Sequence, residues 1–328
     1  MKIIIIRFSS IGDIVLTTPV IRGIRNKYPE ATIHYLTKPA FESLVKYNPY
    51  LDEVILLQEN LKDTLQAIKS QDYDHIIDLH NSLRTQVVKL GNFSKTHSFD
   101  KLSFKKWLYV KLKWNTLPSM HVVDRYLDTV RFLNIENDKE GLDFFIPAGK
   151  IVDFEKLNIP LKTKEYVAIA IGAAHVTKSI PVSLLVKIID ALDYPIVLIG
   201  GKEDTTKANE ILAQTTNSKV YNAVGQYDIL QSASFIKQAK ALLTPDTGMM
   251  HIAAALRIPI VAVWGNTTPS LGMYPYTFHS EYTNIEVPTL PCRPCSHIGY
   301  TVCPKEHFHC MNKQDSTAII HKINQYIR

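Results

Sequence analysis

Four short segments of this 328-residue chain carry residue types that bind charge or move protons. The first is Arg7-Phe8-Ser9-Ser10-Ile11-Gly12-Asp13, which leaves a β-branched run, Lys2–Phe8, and enters a helical pattern. In doubly wound sheets, ligands bind where such loops leave the carboxyl ends of strands. Gly12 lets backbone approach backbone, and Ser9 and Ser10 offer hydroxyls and amides. Asp13 could act as a general base, or it could be a first-turn acid that only supports its helix. The loop is not a dinucleotide fingerprint, because G-x-G-x-x-G is absent and no P-loop lysine follows.

The second segment, Gly172-Ala173-Ala174-His175-Val176-Thr177-Lys178, follows the predicted strand Tyr166–Ile171. Small residues expose amides and Lys178 adds a cation, which suits a phosphate leaving group. An ordinary strand-to-helix turn with a solvated lysine is the plainer alternative. The third runs from Thr244 through Asp246, Thr247, Gly248, Met249 and His251 to Leu256. Asp246 or Thr247 can cap a helix whose free amides make an anion site. His251, on or near the first turn, could equally be a satisfied structural histidine. The fourth, Gly200-Gly201-Lys202-Glu203-Asp204, is a turn where a carboxylate can bind ribose hydroxyls or stand in solvent at a helix start.

These loops need a scaffold of alternating elements. Strands are predicted at Thr32–Leu36, Glu53–Leu57, His75–Leu79, Ile196–Ile199, Ala241–Leu243 and Ile258–Trp264, in addition to those above. Helical patterns lie between them: from the first loop to about Asn26, then Pro39–Lys46, Leu61–Ser70, Val122–Leu133, Val182–Leu192, Thr205–Gln214 and Ser232–Gln238. Pro19 sits in the first turn of the first helix or kinks it. The alternation implies parallel βαβ units. It breaks at the mixed, polar stretch Pro147–Lys164, which predicts two Rossmann-like domains, 1–150 and 151–328. A last helix is expected over Ser316–Ile327.

Composition agrees with folded domains: 46% hydrophobic, 21% charged and a mean hydropathy of −0.04. Bulk disorder and collagen-like structure are excluded. At about 150 residues per domain, the length also predicts about two domains. The longest apolar runs, such as Ile3–Ile6 and Ile258–Trp264, fall well short of the ~20 residues that span a bilayer. Met1 runs directly into a strand, so a signal peptide is not expected and a cytoplasmic location is.

The net charge of +6 is unevenly placed. Between Arg84 and Lys113 stand eight basic residues and one acid, Asp100, interleaved with Phe99, Phe104, Trp107, Leu108 and Tyr109. Arg84, Lys105, Lys106 and Trp107 are the candidate docking residues for an anionic membrane surface or a phosphorylated glycolipid. Nucleic acid would suit the charge, but no nucleic-acid motif accompanies it. The bland alternative is an amphipathic helix with its aromatics in the core. All four cysteines lie late, as Cys292-x2-Cys295-x7-Cys303-x6-Cys310. That spacing could hold a structural zinc, with His297, His307 and His309 nearby as spare ligands. Free thiols are an equal reading, and a disulfide is disfavoured in a reducing compartment.

Taken in order, the motifs resemble glycosyltransferase family 9, the lipopolysaccharide heptosyltransferases. The opening loop with Thr18-Pro19 is similar to that family's N-terminal motif. Asp246 through Leu256, with Pro259 and Gly265-Asn266-Thr267-Thr268-Pro269, is similar to its most specific signature. Gly172–Lys178 and Gly200–Glu203 fit in order and spacing. The resemblance implies a GT-B fold, with two Rossmann-like domains and parallel sheets facing across a cleft. It implies inverting, metal-independent transfer of a heptose from ADP-heptose to a lipid-anchored core oligosaccharide at the inner membrane. Asp13 matches the family's base and Lys178 the basic residue beside the departing diphosphate. The donor-binding set it implies is Ser10, Gly12, Gly172, Thr177, Glu203, Asp246, Thr247, Gly248, Met249 and His251. The basic segment would serve the acceptor. A different nucleotide-sugar donor, or a silent nucleotide- or glycan-binding protein, are the alternatives. The only D-x-D triplet, Asp72-Tyr73-Asp74, precedes a strand and reads as a solvated turn.

Overall fold

The β-branched runs become strands buried on both faces. In a computed structural model, which describes residues 1–90, 95–157 and 159–328, contacts divide the chain into two units. One is Met1–Lys101 with Met120–Phe145; the other is Leu102–Ser119 with Ile146–Arg328. The units are therefore not two contiguous halves, and the basic, aromatic stretch passes from the first to the second at Leu102. Residues 91–94 of that stretch lie outside the described residues.

The first unit holds Lys2–Ile6 (β1), Thr32–Thr37 (β2), Glu53–Leu56 (β3), His75–Asp78 (β4) and Lys95–Ser98 (β5). They form one parallel sheet in the order β3-β2-β1-β4-β5. Ile3 through Ile6 are wholly buried, as a central strand covered on both faces requires. The strand order reverses between β1 and β4, and that reversal opens a crevice at their carboxyl ends.

The second unit holds Val167–Ala170 (β6), Ile196–Ile199 (β7), Val220–Asn222 (β8), Ala241–Pro245 (β9), Ile260–Trp264 (β10) and Tyr282–Glu286 (β11). This sheet is also parallel, in the order β11-β10-β9-β6-β7-β8. Its reversal lies between β6 and β9. Helix Ser316–Ile327 buries Ile319, Ile323 and Ile327, spaced one turn apart, in this unit's core. Asp315 caps it through the amides of Thr317 and Ala318.

Some elements differ from expectation. The helix expected to run from the first loop to Asn26 is two helices, Ile11–Val15 and Thr18–Lys27. Pro19 sits in the first turn of the second, where its missing N–H forfeits no helical hydrogen bond. Pro39–Leu44 is a 3-10 helix. Val122–Leu133 is an α-helix only to Asp128, followed by a 3-10 turn at Arg131–Leu133. Among the described residues, no helix is long and apolar enough to cross a membrane.

Candidate functional site

Asp13 and Lys178 each stand at the switch point of their own sheet. In the first unit, the loops after β1 and β4 meet through Arg7. Its buried guanidinium donates to Ser9 O (2.7 Å) and to Leu79 O (2.6 Å), and pairs with Asp13 Oδ1 at 2.8 Å. The other oxygen of Asp13 accepts from Ser10 Oγ (2.8 Å) and Ser10 N (3.4 Å). Asp13 therefore supports the first turn of its helix and also faces a fixed cation. Gly12 is buried in the same turn, and Ser10 is exposed.

The β4 loop adds groups that carried no signal in the sequence reading. Asp78 is fully buried; Oδ1 accepts from the amides of His80 (3.0 Å) and Asn81 (2.7 Å), and Oδ2 pairs with Lys89 Nζ at 2.9 Å. The His80 ring lies 4.9 Å from that of Phe8. Burial pushes the His80 pKa down to about 4, with Arg7 and Lys101 adding to the fall and Asp78 and Asp13 opposing it. A neutral imidazole therefore stands beside the Asp13–Arg7 pair. Burial, then Arg7, also lowers Lys101.

In the second unit, the loops after β6 and β9 meet through Lys178. Its ammonium is 2.7 Å from Asp246 Oδ2, and that oxygen also accepts from Thr267 Oγ1 at 2.8 Å. Asp246 is thus not the helix cap. Thr247 occupies the N-cap of Gly248–Ala255, but its hydroxyl lies 3.2 Å from Thr244 Oγ1 and makes no capping hydrogen bond to the amides that follow. Gly248 and Met249 are half-buried at that helix start, whereas His251 is buried further along. Thr177 is buried too; its Oγ1 accepts from Tyr300 N at 2.8 Å and its N donates to Tyr300 O at 3.1 Å.

The glycine turns are shaped by one acid. A Cβ on Gly172 would come within 2.1 Å of Asp204 Oδ2, and one on Gly200 within 2.8 Å, so a side chain at either turn would displace that carboxylate. Asp204 also accepts from Gly201 N at 2.9 Å, and burial raises its pKa. Glu203 is exposed, with its carboxylate over Gly201. Lys207 spans the ends of the second loop, donating to Ile171 O at 2.9 Å and to Ser179 Oγ at 2.5 Å. Burial pushes its pKa down to about 8, against Asp204 and Glu210.

The cysteine-rich segment packs on this site. Arg293 donates to Gly265 O (2.6 Å) and Thr267 O (2.8 Å), and pairs with Glu286 at 2.7 Å. It thereby holds the turn that carries Thr267 to Asp246. All four thiols are free. Among the described residues, no three His, Cys, Asp or Glu side chains are gathered as a metal's ligands. Cys292 Sγ lies 4.0 Å from His307 Nε2.

Of the docking candidates, Arg84 is exposed on helix Leu83–Leu90 of the first unit. Lys105 and Trp107 are exposed and Lys106 half-buried on helix Ser103–Leu112 of the second unit, a helix with no buried residue. Its aromatics do not enter a core. In the D-x-D triplet, Asp74 accepts from Lys2 N at 2.7 Å, a structural contact at the start of β1.

A family model described as glycosyltransferase family 9 (heptosyltransferase) matches residues 62–305. Lipopolysaccharide heptosyltransferase 1 of Campylobacter coli is 26% identical over 294 residues, spanning 82% of this chain and 85% of its own length. Among solved structures, a family 9 glycosyltransferase from Veillonella parvula superposes with a TM-score of 0.81 at 19% identity, covering 99% of this chain and 97% of that one. The Escherichia coli ADP-heptose lipopolysaccharide heptosyltransferase II gives 0.75 at 21% identity, covering 100% and 98%. These structures share the GT-B fold with this chain, whose two parallel-sheet units are of the same kind.

Proposed function

Because the chain belongs to glycosyltransferase family 9, the heptosyltransferases, we propose that it moves a heptose from ADP-heptose to a lipid-anchored lipopolysaccharide or lipooligosaccharide core acceptor, with inversion and without a metal. The observation that carries this reading is the Lys178–Asp246 pair, set at 2.7 Å beside a helix start at a switch point. A diphosphate arriving there meets a cation and free amides, which stabilise the charge that develops as the glycosidic C–O bond breaks. Lys178 and the amides of Thr247, Gly248 and Met249 take the leaving diphosphate. Asp246, released from Lys178, holds sugar hydroxyls. Glu203, or Asp204 beside it, holds the ribose.

Asp13 supplies the other half of the reaction. It accepts the proton of the acceptor hydroxyl as that oxygen bonds to the anomeric carbon from the face opposite the phosphate. Arg7 keeps it aimed, since one carboxylate oxygen is fixed by the guanidinium at 2.8 Å. The acceptor's lipid places the enzyme on the cytoplasmic face of the inner membrane as a peripheral protein.

The test is turnover of ADP-heptose with a lipid A–core acceptor extract, comparing wild type with Asp13→Ala. A loss of about 10²-fold or more, with donor binding largely kept, is expected. Unchanged turnover would remove Asp13 as the base, and no turnover of ADP-heptose by the wild type would remove the donor assignment.

A further inference from the structure

Two stretches of the second unit are apolar, exposed and without a single acid. The first is Leu102–Ser119, which carries four lysines; the second is 287–305, the first half of the cysteine-rich segment, with Arg293 and Lys305 as its basic residues. On helix Ser103–Leu112 and just beyond it, Phe104, Trp107, Leu112 and Trp114 are 49% to 70% exposed. On the cysteine-rich segment, Ile298 and Val302 are 53% and 70% exposed. Single exposed apolar residues need no explanation, but clusters of large ones do.

The two stretches are bolted together. Lys113 Nζ donates to Cys292 O at 3.1 Å and to Pro294 O at 2.7 Å, and Tyr109 OH lies 2.7 Å from Ser270 Oγ. Successive helix positions advance by 100°, so Phe104, Trp107, Lys111 and Leu112 share a face opposite Tyr109 and Lys106. Of the half-buried residues, Lys106, Tyr109 and Val110 are turned toward the unit, while Leu108 lies between Phe104 and Leu112 on the outer face. The outer face thus pairs aromatic and aliphatic groups with lysines, the composition of a helix lying in a lipid interface.

We propose that helix Ser103–Leu112 with Trp114 and the Ile298–Val302 tip of the cysteine-rich segment form one docking surface for an anionic bilayer, with Lys113 as the bracket between them. This rests on the peripheral-membrane reading above and assigns the cysteine-rich segment a part in it. Charge complementarity selects the occupant. A surface with four lysines in one stretch and no acid in either is drawn to anionic headgroups, while aromatic rings settle at headgroup depth. The same surface on a second copy of this chain would meet like charge.

Vesicle co-sedimentation tests this independently of sugar transfer, so its failure leaves the reaction assignment standing. Binding is measured on phosphatidylethanolamine–phosphatidylglycerol vesicles and on phosphatidylcholine vesicles. Wild type is compared with Phe104→Ser/Trp107→Ser and with Ile298→Ser/Val302→Ser, after thermal unfolding confirms that each variant is folded. Expected are salt-sensitive binding to the anionic vesicles only and a fall of about 10-fold or more for each pair. Equal binding to both lipids overturns the proposal, as does a loop pair that binds like wild type. A wild type that is dimeric in solution, and monomeric as the Phe104/Trp107 variant, would show that a second copy covers the surface instead.

Discussion

Lys178 and Asp246 are joined at 2.7 Å although one follows β6 and the other follows β9. The ion pair spans the reversal of strand order, so it closes the crevice where a doubly wound sheet receives its ligand. Both side chains are largely buried, at 16% and 10% exposure. Lys178→Met therefore strands a carboxylate that keeps only Thr267. It is expected to lower stability by about 3 kcal/mol and turnover by about 10²-fold or more. Lys178→Met/Asp246→Asn should recover most of the stability and none of the turnover. Urea denaturation and initial rates check this; a single variant as stable as wild type would contradict the pairing.

The first unit repeats the device with Arg7 and Asp13. Asp13→Asn preserves shape and can keep one hydrogen bond to Ser10, but it cannot take up a proton. Turnover should fall about 10²-fold or more, while ADP affinity, measured by calorimetry, changes less than about twofold because Asp13 is not among the phosphate groups. A variant with near-wild-type turnover would move the base elsewhere.

The central strands and their loops were legible because a parallel sheet demands apolar runs and places binding loops at their ends. Asp13 and Lys178 both follow such runs. The edge strands β5 and β11, Lys-Thr-His-Ser and Tyr-Thr-Asn-Ile-Glu, were not legible, since neither their order nor their polarity marks a buried strand. His80 follows β4 in a loop with no glycine and so offered no phosphate-loop signal. Lys207 lies in the first turn of helix Thr205–Gln214, 36 residues from the Ile171 carbonyl it holds, and nothing in local sequence reports so long a reach. Likewise, the grouping of Leu102–Ser119 with the second unit rests on contacts such as Lys113 to Cys292, 179 residues apart.

Neutral His80 makes stability depend on pH in a definite direction. Its folded pKa, about 4, lies below its ordinary 6.5, so the unfolded chain binds more protons between these values. Its contribution is intact above about pH 6.5 and is lost as pH falls toward 4. Burial depresses His75 and His97 in the same sense. His80→Gln should flatten the fall in the urea midpoint between pH 6.5 and 4 without abolishing it. An unaltered pH profile would show that the fold does not lower the His80 pKa.

Lys207 should trade stability for position. Its folded pKa of about 8 lies below its ordinary 10.5. Stability from this group therefore rises with pH through that window, and at neutral pH its burial is a cost. What the cost secures is a tie between Ile171 O and Ser179 Oγ, the two ends of the Lys178 loop. Lys207→Met should keep or raise the Tm at pH 7 while weakening ADP about 3- to 10-fold. Lys207→Arg should restore part of that affinity. Unchanged ADP affinity in the Met variant would leave the tie without a role in binding.

The four cysteines should differ in reactivity. Burial first, then the neighbouring Cys295, pushes the Cys310 thiol up to about 12, against an ordinary 9.0. Burial likewise raises Cys295. At pH 8 only about one Cys310 in 10⁴ is then thiolate, the form that reacts, and the side chain is buried as well. Iodoacetamide followed by mass spectrometry over time should label Cys310 last in the folded protein, and all four together once it is unfolded in urea. A metal held by the thiols would instead protect them as a set until a chelator is added, and a disulfide would leave one pair unlabelled even in urea until it is reduced. Ordered labelling without either treatment is the result that free thiols in this structure require.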